Sequence, residues 1–148
     1  MATFLVGTLE AYLPLLAPLP RLSKAVLNTL LTLWAAGPPP SQDGANVRAR
    51  AFLRVRQMAL VLPGVSREEV FRAIYLRFAR ACKTCTEANI GSVTFMATSI
   101  AELYQSDPVQ AYQQAFLYIR QLALHLRTAL AKKTSEATRA VTTWQVRV

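Results

Sequence analysis

Proline and glycine constrain this chain more than any other feature. Pro14, Pro18 and Pro20, the run Gly37-Pro38-Pro39-Pro40, then Pro63-Gly64, Asn89-Ile90-Gly91 and Asp107-Pro108 divide its 148 residues into stretches of helical length. Proline does so because it removes a helix donor and clashes with the preceding turn. Within the stretches apolar residues recur at three- and four-residue intervals, the mark of an amphipathic helix. The spacing predicts helices over 3–13 (ended by Pro14), 21–36, 45–62, 66–84, 93–104, 108–132 and 135–145, with Leu22, Val26, Leu30 and Leu33 at helical spacing on the second. Residues 37–44 read as a flexible loop. Ser66-x-x-Glu69 supplies a capping box, and Asp107-Pro108 pairs a capping residue with a proline where its missing donor costs nothing. Short turns between helices suggest antiparallel pairs. The expected fold is all-α: a HEAT/armadillo-like helical-repeat segment of about seven helices, forming one unit over 1–148.

Composition narrows the function. At 53% hydrophobic and 17% charged, the chain can offset its ordering entropy and is not intrinsically disordered. The apolar first third is broken by Glu10, Pro14, Pro18, Pro20, Arg21 and Lys24, so it reads as core helices and not as a signal peptide or a membrane span. No GxSxG, HExxH, Walker or GxGxxG pattern occurs, and the acidic residues are scattered. Cys82-Lys83-Thr84-Cys85 is a lone CxxC without the further ligands that a zinc site needs. Two small apolar residues near a helix end are the simpler reading, with a redox or small-molecule module there as a rival. No catalytic, cofactor or metal site is expected, nor is an enzyme.

What remains is surface. The formal charge is +9, and residues 48–85 hold nine basic side chains against the two acids Glu68 and Glu69, a local excess of +7. Eight of the nine are arginines, whose planar fork suits bidentate contacts to phosphate or carboxylate. Arg54, Arg72, Arg77, Arg80 and Lys83 are the candidate contacts to RNA or to an acidic protein. On the fourth predicted helix Val70, Phe71, Ile74, Tyr75, Phe78 and Cys82 form the apolar stripe, and Arg72, Arg77, Arg80 and Lys83 fall opposite it.

The sixth predicted helix is apolar on more than one side. Its main arc, expected to pack inward, holds Ala111, Tyr112, Ala115, Phe116, Ile119, Leu122, Ala123, Leu126 and Leu130, while Leu117 and Leu124 make a second line. Between them run the polar stripes Gln113, Arg120, Arg127 and Gln114, Gln121, Tyr118, His125. A helix of this kind packs against several neighbours, and its polar stripes should be hydrogen-bonded where buried.

The block Tyr112-Gln113-Gln114-Ala115-Phe116-Leu117-Tyr118-Ile119-Arg120-Gln121-Leu122-Ala123-Leu124-His125-Leu126-Arg127 resembles the signature helix of the nucleolar complex protein 2 family. Val93-Thr94-Phe95-Met96, Ala101-Glu102-Leu103-Tyr104 and Trp144-Gln145 resemble further blocks in the same order, and Ala51 to Ala59 and Ile74 to Arg77 do so less specifically. Tyr118, Arg120, Gln121, His125 and Arg127 carry the family signature. Thr94 stands where the family favours Asn, and Thr142-Thr143 where it favours Tyr-Asn.

The resemblance implies a non-enzymatic helical-repeat scaffold of the nucleolus and nucleus, acting in large (60S) ribosomal subunit biogenesis. Its partners would be the related nucleolar complex proteins 1 and 3, as heterodimers, and pre-ribosomal RNA or particles, with no membrane and no small-molecule substrate. The family extends beyond these blocks, so the chain reads as an internal or truncated piece of a longer domain. The alternatives are a direct RNA-binding protein using the Arg-rich face of residues 48–85, or a nuclear transcriptional co-regulator.

Overall fold

The computed structural model describes residues 2–37, 41–82 and 86–132, apart from the side chains of Ala2, Leu122, His125, 128–130 and Lys132. The described residues are all-helical: α1 (Ala2–Leu16), α2 (Pro20–Trp34), α3 (Gln42–Val61), α4 (Arg67–Cys82), α5 (Ile90–Ser106) and α6 (Pro108–Lys132). The expected seventh helix over 135–145, together with Lys83 and Cys85, lies outside the described residues. The chain divides into two compact units, Met1–Ile74 and Tyr75–Val148.

In the first unit α1 and α3 run parallel. Thr3 donates a hydrogen bond to Asp43, Arg50 reaches the Thr3 carbonyl, and Glu10 pairs with Arg54, so residue numbers rise together along both helices. A Cβ on Gly7 would come within 2.5 Å of the Arg50 guanidinium, so the glycine leaves room for that crossing. Helix α2 runs antiparallel to α3, with its last residue, Trp34, against Arg48 near the start of α3. The inward face of α3 is the one expected: Val47, Ala51, Phe52, Val55, Met58, Ala59 and Leu62 are all buried.

Three expectations for this unit are corrected. Helix α1 does not stop before Pro14 but carries it inside and runs to Leu16. Leu13 and Leu16 are both buried, and the Leu16 carbonyl accepts bonds from the Leu19 amide and the Ser23 hydroxyl, so packing and capping together outweigh the donor that proline lacks. On α2 the buried set is Ser23, Leu27, Leu30, Leu31 and Trp34, whereas Leu22 is exposed and Val26 and Leu33 half-buried. The stripe is rotated because Ser23 buries its hydroxyl at no penalty, donating to the Leu16 and Leu19 carbonyls at 2.8 and 3.1 Å. Helix α3 also begins inside the expected loop, where the Ser41 hydroxyl accepts the Gly44 amide.

Helix α4 starts at its expected cap, the Ser66 hydroxyl accepting the Glu69 amide. In the second unit α5 starts three residues earlier than its apolar pattern requires, at Ile90, and buries Val93, Met96, Ser99, Ile100 and Leu103. Asp107 alone separates it from α6, and the Asp107 carboxylate accepts the Gln110 amide at 3.1 Å. Tyr75 of α4 stacks on Tyr118 of α6, with ring centroids 3.7 Å apart and planes at 24°. Burial, reinforced by Tyr118 and Tyr75, pushes the Tyr104 hydroxyl of α5 up to about 12. A raised acid pKa favours the neutral phenol in the folded state, so this contribution is complete below the ordinary tyrosine value of about 10 and is lost as pH rises towards 12. Urea stability should therefore fall between pH 10 and 12, and Tyr104→Phe should flatten that fall relative to the parent chain.

The main arc of α6 is the largest departure. Ala111 is buried and Ala115 half-buried, but Tyr112, Phe116, Ile119, Ala123 and Leu126 are exposed, Tyr112 by 69% and Ile119 by 62%. Leu122, in the expected arc, and His125, in the signature, have side chains outside the described residues. The inward face is instead the line Ala111, Gln114, Ala115, Tyr118, set by the Tyr75–Tyr118 stack and by the buried Gln114.

Candidate interaction surface

The eight arginines of 48–85 do not form one uniform surface. Arg48 is 5% exposed, and its Nε donates to the Trp34 carbonyl at 3.1 Å, satisfying one of the carbonyls orphaned at the end of α2. Burial lowers its guanidinium from the ordinary arginine value. Arg50 donates to the Thr3 carbonyl and Arg67 to the Ala59 carbonyl, at 3.4 and 3.3 Å. Arg54, one of the expected contacts, is largely covered: its Nη2 lies 2.5 Å from the Glu10 carboxylate and its Nη1 bonds Gln57. Much of the charge on α3 therefore braces the first unit. Sequence reasoning missed this because the partners are backbone carbonyls, the neutral Gln57 and a single acid distant in the chain.

Helix α4 is different. Val70, Phe71, Ile74 and Cys82 are buried and Tyr75 and Phe78 half-buried, as the apolar stripe requires. Arg72 and Arg80 are exposed on the other side, joined by Leu76, and Arg77 is half-buried beside them. Burial first, and then Arg80, lowers the Arg77 guanidinium. None of these three arginines forms an ion pair among the described residues. Lys83, expected on the same face, lies outside the described residues.

On α6 the signature residues separate by depth. Tyr118 is half-buried in its stack, while Arg120, Gln121 and Arg127 are exposed. Among the described residues no group of three or more His, Cys, Asp or Glu side chains could hold a metal, and no helix is long and apolar enough to cross a membrane.

These helices coincide with a family match: residues 65–147 match the Noc2p family. The chain belongs to the Noc2p family. The match begins just before the Ser66 cap and takes in α4, α5 and α6, so the α4 arginines and the Tyr75–Tyr118 stack lie inside it. The chain is similar to nucleolar complex protein 2 of Drosophila melanogaster, 33% identical over 131 residues that make up 88% of this chain and 16% of that protein. It is also similar to nucleolar complex-associated protein 2 of Arabidopsis thaliana, 30% identical over 98% of this chain and 18% of that protein. For the nucleolar complex protein 2 homolog of Caenorhabditis briggsae the values are 28%, 96% and 19%. The chain thus spans less than a fifth of the length of these relatives. Membership and these names support a nucleolar or nuclear location for a Noc2p-family chain.

Proposed function

We propose that this Noc2p-family chain is a non-enzymatic scaffold segment of helical-repeat type in large (60S) ribosomal subunit biogenesis. It binds related nucleolar complex proteins and pre-ribosomal particles, and the α4 face of Arg72, Arg77 and Arg80, together with Lys83, meets pre-ribosomal RNA. The observation that carries this reading is the family match over α4 to α6, on a helix whose outward arginines are free of ion pairs among the described residues. Guanidinium groups that meet no acid among the described residues, two of them exposed, offer bidentate contacts to phosphate. Arg54, held by Glu10, contributes less to that contact. Arg120, Gln121 and Arg127 on α6 offer polar contacts to a protein partner, and Tyr118 keeps the helix in place.

The test is a salt titration of single-stranded RNA binding. Each phosphate contact contributes about 0.7 to the log–log slope, so replacing Arg72, Arg77 and Arg80 with Gln should flatten it by about 2 with helicity retained. Arg54→Gln should change the slope by less than one contact's worth. An unchanged slope in the triple variant would mean that the α4 face does not meet RNA.

A further inference from the structure

We infer that the outward face of α6 is a docking surface for an amphipathic helix of a partner protein whose apolar stripe is edged by acidic residues. This rests on the scaffold reading and assigns it a second surface, separate from the arginines of α4. At about 100° per residue, Leu126, Ile119, Tyr112, Ala123, Phe116 and Val109 fall in that order within an arc of about 100°. All six are exposed. A contiguous, exposed apolar stripe of this length on one helix marks an interaction surface. Arg127 and Arg120 stand along one edge of the arc, both exposed, and residues 108–132 contain no Asp or Glu.

Charge decides the occupant. A second copy of the chain would set Arg120 and Arg127 against their own equivalents, in a molecule of net charge +9. Like charges across an interface disfavour that pairing. RNA could pair with the arginines and stack on Tyr112 or Phe116, but Val109, Ile119, Ala123 and Leu126 offer a base neither a ring to stack on nor a hydrogen bond. A helix with apolar residues at three- and four-residue spacing and Glu or Asp beside them covers the stripe and pairs with both arginines, the ordinary helix-in-groove mode.

The probe is a peptide of about three heptads with Leu and Ala on one face and Glu along its edge. Its counterpart carries Lys in place of each Glu. With the full chain labelled for NMR, the Glu peptide should perturb the signals of Tyr112, Phe116, Ile119 and Leu126, and the Lys peptide should not. Ile119→Glu should abolish the effect without unfolding the chain, because Ile119 is exposed. Arg120→Glu with Arg127→Glu should weaken the Glu peptide by about tenfold and confer binding of the Lys peptide. Equal binding of both peptides would overturn the proposal. So would a concentration-dependent dimer lost in Ile119→Glu, a single-stranded RNA that perturbs the same signals, or peptide binding seen only after residues 133–148 are removed. The α4 triple variant leaves α6 unchanged, so its RNA binding reports on the scaffold reading independently.

Discussion

Trp34→Ala should destabilise the chain by about 3–5 kcal/mol, read as a lower urea midpoint by circular dichroism. Trp34 is 0% exposed and heads the fully buried side chains by volume. It closes α2, and its carbonyl accepts the Arg48 guanidinium, so the cavity would open where two helices are tied together. Trp34→Phe should cost far less, about 1 kcal/mol, for a specific reason. The indole Nε1 is buried and meets no acceptor among the described residues, so removing it gives back a desolvation penalty that offsets the smaller ring. If the two substitutions proved equally costly, the indole N–H would have an acceptor and the side chain would be doing more than filling space.

The second large effect concerns neighbours on α6. Tyr118→Ala should cost about 2 kcal/mol, because it removes a half-buried ring stacked on Tyr75 together with the geometry of that pair. Ile119→Ala should stay within about 0.5 kcal/mol, since Ile119 is 62% exposed. Hydrophobicity alone predicts the opposite order. Thermal or urea denaturation of the two variants, compared with the parent chain, decides it; an Ile119→Ala loss larger than that of Tyr118→Ala would put the apolar arc in the core.

That contrast shows what the sequence makes legible. The helices are readable because proline, glycine and capping residues act locally: Ser66 and Asp107 cap the helices that their motifs announce. The apolar faces of α3 and α4 are readable because each helix has one stripe and packs along it. Helix α6 carries apolar residues around much of its circumference, so periodicity cannot choose a face. The choice falls to an aromatic pair forty-three positions apart in sequence, Tyr75 and Tyr118. The arginines pose the same difficulty. Arg72 and Arg48 are the same residue type, yet one is exposed and the other caps a helix through the Trp34 carbonyl. Only the packing of α2 on α3 separates an exposed arginine from a brace.

The most direct measurement of the scaffold reading is affinity purification of the tagged chain from nucleolar extract, with sequencing of the co-purified RNA and mass spectrometry of the proteins. A scaffold of this kind should enrich large-subunit pre-rRNA and related nucleolar complex proteins, with the RNA reduced by the Arg72, Arg77 and Arg80 triple substitution. Recovery no greater than that of an unrelated helical protein of equal charge would contradict it.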